Sequence, residues 1–167
     1  QGYYARFLTA FPTVEALAAA PEERLMKLWE GLGYYSRARN LQKTARIVAE
    51  SGGRFPETYQ ELLALPGIGD YTASAIASAA FGKREAAVDG NVLRVVMRLT
   101  DCHDDIADPK VKKAVRARVQ AVMPETEEDI RVFNQATMEL GATVCAPNGP
   151  PRCLECPARD FCLGRLR

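Results

Sequence analysis

Four of the five cysteines stand at Cys145, Cys153, Cys156 and Cys162, a C-x7-C-x2-C-x5-C pattern near the end of a 167-residue chain. Four thiols gathered by one short segment are the donor set of a metal site. Zinc is usually held by two separate C-x2-C knuckles, and this segment has one. A single knuckle with longer spacers suits a cubane [4Fe–4S] cluster, whose irons need sulfurs at wider, unequal separations. A reducing compartment argues against disulfides, and inert core cysteines would not be packed among Pro147, Pro150, Pro151 and Pro157. Cys102 stands apart and reads as an ordinary thiol. His103, the only histidine, is flanked by Asp104 and Asp105 and reads as a surface side chain.

A second chemical feature is Leu65-Pro-Gly-Ile-Gly-Asp-Tyr-Thr-Ala73. Its glycines permit positive φ in a tight turn and leave backbone N–H groups uncovered. Beside a helix N-terminus, those groups are suited to a phosphate, which they grip without reading base sequence. The plainer reading is a helix–helix turn. About twenty residues later comes Ala87-Val-Asp-Gly-Asn-Val92, followed by Arg94 and Arg98. An aspartate at a helix start is most often an N-cap. The helix dipole also stabilises a negative charge there, and an anion so held could stabilise a cationic sugar transition state. The residues alone leave cap and catalyst both open.

The elements that must position these groups are helical, since no stretch alternates like a strand. Pro21 opens a helix carrying Leu25, Leu28, Trp29 and Leu32 on one stripe and stopping at Gly33. A second helix runs from about Ser36 to Gly52-Gly53. Thr58-Tyr-Gln-Glu61 predicts a capping box for a short helix before Pro66. An Ala-rich helix over about 71–80 and another over 91–99 follow. Asp108-Pro109 starts a helix with Val111, Val115, Val119 and Val122 on one side, ended by Pro124. Thr126 starts the next, which runs to about Gly141. The expected architecture is all-α, with about eight helices and a short cysteine-rich tail.

Composition narrows the function classes. The chain is 47% hydrophobic and 26% charged, with a formal charge of +1, which excludes an intrinsically disordered segment. No run approaches the 18 or so apolar residues of a membrane span and no leader is apparent, so the cytoplasm is the expected compartment. Near-neutral charge gives no support to a strongly basic nucleic-acid binder, so any such role must come from local features. Lys112, Lys113, Arg116 and Arg118 lie between two acidic clusters and are expected to form a solvated helix face. Gln1 leads straight into Tyr3-Tyr4-Ala5-Arg6-Phe7-Leu8, which reads like a cut edge.

Together, Leu65-Pro-Gly-Ile-Gly, Val88-Asp-Gly-Asn-Val, Gly31-Leu-Gly-Tyr-Tyr-Ser-Arg37 and the four-cysteine tail resemble the helix-hairpin-helix DNA glycosylases, in particular the adenine glycosylases of the MutY family. The resemblance runs over essentially the whole chain. It implies an all-α glycosylase fold, a helical barrel lobe over 21–100 with the hairpin at about 59–81, helices over 101–144 completing the core, and a cluster loop over 145–167. Residues 1–20 would be the start of a truncated N-terminal part. The implied reaction is hydrolysis of the N-glycosidic bond of adenine mispaired with 8-oxoguanine or guanine in double-stranded DNA, after the base is flipped out. The implied catalytic residues are Asp89, which would stabilise the oxocarbenium-like sugar, Asn91, which would support that carboxylate and the nucleophile, and Tyr71. Gly67, Ile68 and Gly69 would hold a DNA phosphate, and Tyr34 would wedge into the duplex. Cys145, Cys153, Cys156 and Cys162 would bind a [4Fe–4S] cluster. A monomer with no obligate protein partner is expected.

Tyr71 bears on the subfamily. Related lyases of the endonuclease III type carry a lysine there, whose amine forms a Schiff base that a tyrosine cannot make. Gly90-Asn91, where endonuclease III has Thr-His, points the same way, towards a monofunctional enzyme. Two departures accompany the resemblance. The first cysteine spacer has seven residues where the family usually has six. The family's general-acid glutamate falls upstream of Gln1 and its 8-oxoguanine recognition domain falls downstream, so a core fragment with little turnover by itself is expected. Glu30 is the carboxylate nearest a matched motif, without motif support. A lyase of the endonuclease III type and a non-catalytic DNA-binding module are the competing expectations.

Overall fold

The structure is a computed structural model and describes residues 2–166. Among those residues are nine α-helices, three short 3-10 turns and no strand. The chain divides into two compact units, one ending at Gly69 and the other beginning at Asp70.

The first unit holds α1 (Gly2–Ala10), α2 (Val14–Ala19), α3 (Glu22–Trp29), α4 (Tyr35–Glu50) and α5 (Tyr59–Leu63). Phe11, Leu17, Leu25, Ala38 and Ala45 form its core, and Phe7 and Trp29, edge to face with each other, pack against it. Gln42 of α4, almost wholly buried, donates to the carbonyls of Leu17 and Ala20, so the end of α2 finds partners that solvent cannot supply. The expected helix from Pro21 to Gly33 is shorter. α3 stops when Glu30 turns extended, and Leu32 lies exposed in the loop that follows. That loop takes positive φ at Gly31, Gly33 and Tyr34, a backbone that cannot continue a right-handed helix. The capping box at α5 forms as expected: Thr58 Oγ1 accepts from the Glu61 N–H and Glu61 Oε2 accepts from the Thr58 N–H.

The second unit holds α6 (Asp70–Phe81), α7 (Gly90–Leu99), α8 (Pro109–Val122) and α9 (Glu127–Thr143), followed by 3-10 turns at Cys153–Glu155, Arg159–Phe161 and Leu163–Leu166. Val92, Leu93, Met97, Val115, Val119 and Ile130 make its core. Val122, expected on the buried side of α8, is 70% exposed. The chain leaves the helix at Met123 with extended backbone, and Met123 closes that end of the core instead.

Between α6 and α7 the chain runs as a non-helical segment that has no strand to pair with. Its backbone groups are met by amide side chains. Gln120 of α8 accepts from the Ala86 N–H and donates to the Arg84 carbonyl. Buried Asn134 of α9 does the same for the Ala87 N–H and the Glu85 carbonyl. Two primary amides thus imitate a neighbouring strand, and the segment they fasten delivers Asp89 to the start of α7.

Candidate active site and four-cysteine cavity

Asp89 is the N-cap of α7 and is half-buried. Its Oδ1 accepts from the Val92 N–H at 2.8 Å, and its Oδ2 accepts from Asn91 Nδ2 at 2.9 Å. The carboxylate is therefore held by two donors of its own helix start, which satisfies an orphan N–H and orients both oxygens. Asn91 is held in turn: its Oδ1 accepts from Arg94 at 2.8 Å. The same guanidinium donates to the Gly141 carbonyl at 2.7 Å and to the Cys145 carbonyl at 2.9 Å. A hydrogen-bonded chain thus runs from the Asp89 carboxylate through Asn91 and Arg94 to the first cysteine of the tail.

This arrangement needs α7 and α9 to touch. A Cβ at Gly141 would lie 2.6 Å from the Asn91 Cβ and 2.9 Å from its carbonyl oxygen, so only glycine permits the approach. Sequence reasoning named Arg94 without assigning it a part and passed over Gly141 except as a helix end. The signals were present. Asn91, Arg94 and Arg98 follow the i, i+3, i+7 spacing of one helix face, and a glycine inside a helix marks a close approach of another backbone.

Arg98, one turn on, donates to the Cys145 and Ala146 carbonyls at 3.2 and 3.0 Å, and its NH1 lies 3.3 Å from Cys145 Sγ. Cys145, Cys153, Cys156 and Cys162 all border one cavity of about 180 Å³, over a floor that includes Val95, Leu99, Leu140 and Val144. All four thiols are half-buried and none is in a disulfide. Arg98, Arg152, Arg159 and Arg165 also border the cavity, so a group carrying negative charge would meet cations there. Gly164 lets the last turn lie against α7, because a Cβ there would fall 2.5 Å from the Arg98 carbonyl oxygen. Among the described residues, no group of three or more His, Cys, Asp or Glu side chains converges on a point where one metal ion would sit. The four thiols line one cavity, and a set of four cysteine donors fits a metal group there.

In the turn after α5, Gly67 has φ +76° and packs against Asn40, where a Cβ would lie 2.6 Å away. Thr44 of α4 donates to the Pro66 carbonyl at 3.1 Å and pins the turn. Gly67 and Gly69 are exposed, Ile68 is half-buried, and α6 starts at the next residue. Tyr71, in the first turn of α6, is 43% exposed and its hydroxyl donates to Met138 Sδ at 3.4 Å.

Tyr34 is built in a different manner from a half-buried aromatic at a helix end. It caps α4 from the left-handed region, at φ +49° and ψ +57°, with its side chain 81% exposed. Arg37 stacks on it at 5.5 Å and on Trp29 at 5.7 Å, and donates to the Leu32 carbonyl. Trp29 Nε1 donates to the Gly33 carbonyl at 3.1 Å. The loop thus holds an aromatic ring in solvent against both the backbone preference and the hydrophobic effect, a combination that needs a functional explanation.

His103 is exposed and its Nε2 lies 3.0 Å from Asp101 Oδ1, as expected of a surface histidine. No helix of the described residues is long and apolar enough to cross a membrane.

The all-helical fold, the Gly-x-Gly turn before α6, the aspartate capping α7 and the four cysteines are the features on which the resemblance to the helix-hairpin-helix DNA glycosylases rests. The model of the family described as "HhH-GPD superfamily base excision DNA repair protein" matches residues 1–121. The chain belongs to this superfamily. Adenine DNA glycosylase of Homo sapiens is 46% identical over 99% of this chain and 30% of its own length. Adenine DNA glycosylase of Mus musculus is 47% identical over 99% and 32%, and that of Buchnera aphidicola subsp. Baizongia pistaciae is 37% identical over 98% and 46%. The chain therefore spans between about a third and a half of the curated relatives it matches. Among solved structures, a thermostable thymine-DNA glycosylase superposes with a TM-score of 0.86 at 30% identity, covering 98% of this chain and 74% of that one. A non-covalent endonuclease III–DNA complex gives 0.81 at 29% identity, covering 98% and 74%.

Proposed function

We propose that the chain carries the chemistry of a monofunctional adenine DNA glycosylase, acting on adenine opposite 8-oxoguanine or guanine in duplex DNA. The observation that carries this reading is the Asp89 carboxylate, oriented by Asn91 and the α7 start in a chain whose curated relatives are adenine glycosylases. In the reaction adenine takes a proton from a general acid, and the C1′–N9 bond breaks with its electron pair going to the base. Positive charge grows on the sugar, and an oriented carboxylate beside it stabilises that charge without reorganising. Water then adds to C1′ and loses a proton. Asn91 keeps Oδ2 turned towards the reacting sugar, and Arg94 keeps Asn91 in place.

Gly67, Ile68 and Gly69 offer their backbone to a DNA phosphate, and Tyr34 enters the base stack beside the mispair. Tyr71 supplies no amine, so the reaction stops at base release. Cys145, Cys153, Cys156 and Cys162 are the ligands for a [4Fe–4S] cluster, whose four iron–sulfur bonds when bound would fasten the tail across α7 and α9. The protein acts as a monomer on double-stranded DNA, in the cytoplasm.

The test is single-turnover release of adenine from an A:8-oxoguanine duplex by the full-length gene product containing these residues. Free adenine is expected from the natural protein, with release lowered at least about 10²-fold by Asp89→Asn. Equal release by both would remove Asp89 from the mechanism. Release of thymine from a G:T duplex in preference to adenine would overturn the substrate.

A further inference from the structure

Arg116 does not belong to the solvated face expected of it. It is half-buried on α8, and its NH2 donates to the buried Ser74 hydroxyl of α6 at 3.0 Å and to Glu85 Oε2 at 3.1 Å. Its NH1 lies 3.7 Å from Oδ1 of Asp70, an ion pair. Asp70 is the first residue of α6, immediately after the Gly67-Ile-Gly69 turn, and its carboxylate is 79% exposed. An acid at a helix start stabilises that helix, yet it occupies the potential on which a phosphate would draw.

The signs decide what Arg116 does. A helix start offers roughly half a positive charge. Against it stand the carboxylates of Asp70 and Glu85, so without the guanidinium the first turn of α6 would be strongly negative and would repel a phosphate. With the guanidinium the three side chains leave a single negative charge, about half of which the helix start offsets, so Arg116 removes most of the repulsion. Ser74 and Glu85 fix the guanidinium on α6's own flank, so this offset does not depend on a mobile surface side chain.

We propose that Arg116 is a positioning residue for DNA, offsetting the charge of Asp70 so that the start of α6 can accept a backbone phosphate. Asp70 is the counterweight that keeps non-specific grip weak. This rests on the DNA-binding reading above.

The measurement is anisotropy of a fluorescein-labelled undamaged duplex over a salt series, with the natural chain, Arg116→Met, Asp70→Asn and the double variant. At low salt Arg116→Met is expected to weaken binding about 5-fold and Asp70→Asn to tighten it about 3-fold, both fading as salt screens them. The double variant should bind within about 2-fold of the natural chain, because the two charge changes act on the phosphate with opposite signs. Arg116→Lys should restore most of the affinity, which a loss of packing alone would not allow. A double variant that binds no better than Arg116→Met, or no tightening by Asp70→Asn alone, overturns the proposal. The second arm holds even if Arg116→Met does not fold. If the natural chain shows no salt-dependent duplex binding, the DNA-binding reading fails and takes this proposal with it; variants that all bind like the natural chain sink the proposal alone.

Discussion

At the scale of single residues, Asp89 caps α7 and, in the function proposed, also carries the chemistry, two offices that one pair of substitutions can separate. Asparagine caps a helix about as well as aspartate but carries no charge, whereas alanine does neither. Asp89→Asn is therefore expected to keep the thermal midpoint while losing adenine release. Asp89→Ala should lose release and also about 1 kcal/mol of stability, read by denaturant unfolding. If the two variants unfold alike, the cap seen between Asp89 and Val92 contributes nothing. Tyr34 offers the complementary case. Its left-handed backbone costs about 1 kcal/mol in a non-glycine residue, and its exposed ring makes few contacts that would repay it. Tyr34→Gly is expected to raise stability by up to about 1 kcal/mol and to weaken mispair binding, measured by unfolding and by anisotropy. A variant both less stable and equally tight would show that the ring serves the fold.

At the scale of elements, short α5 depends on its cap because five residues cannot sustain a helix by propensity. Removing the hydroxyl in Thr58→Ala should cost about 1 kcal/mol at neutral pH, measured by thermal or denaturant unfolding. The Glu61 carboxyl is held below its ordinary range, first by the Thr58 hydroxyl and then by the Thr58 backbone N–H. A depressed carboxylate contributes stability above its unfolded value and loses it as pH falls through the folded one. The difference between Thr58→Ala and the natural chain should therefore shrink as pH drops below about 4, the ordinary glutamate value. A difference constant down to pH 3 would show that Glu61 takes no part. The caps were legible in the sequence because Thr58, Asp108 and Thr126 act within four residues of themselves. The end of α3 was less so, since Leu28 and Leu32 continue the stripe while the backbone of Gly31–Tyr34 breaks it.

At the scale of the whole molecule, a net charge of +1 conceals an arrangement in which cations are placed singly. Arg94 and Arg98 are committed to carbonyls beside the cysteines, and Arg116 to α6. The cysteine tail has no core of its own, so its order comes from contact with α7 and, in the function proposed, from the cluster on its thiols. The isolated protein is expected to be brown, with broad visible absorbance and about four irons per chain. Cys153→Ser should lose both the colour and the thermal stability of the second unit. A colourless protein with stoichiometric zinc would refute the cluster.

The amino-acid sequence by itself determined the helical class, the caps, the Gly-x-Gly turn and the set of four thiols, because each is written in near neighbours and in the period of the helix. It left Asp89 divided between cap and catalyst and put Arg116 on a solvated face. Only the tertiary structure decided that Asn91 and Arg94 link Asp89 to Cys145, that Gln120 and Asn134 stand in for a missing strand, and that Arg116 reaches Asp70. Apart from the local links among Asp89, Asn91 and Arg94, these contacts join residues dozens of positions apart, and no local spacing encodes them. They exist because glycine at 141 lets two helices touch and because buried polar groups must find partners wherever the fold has put them.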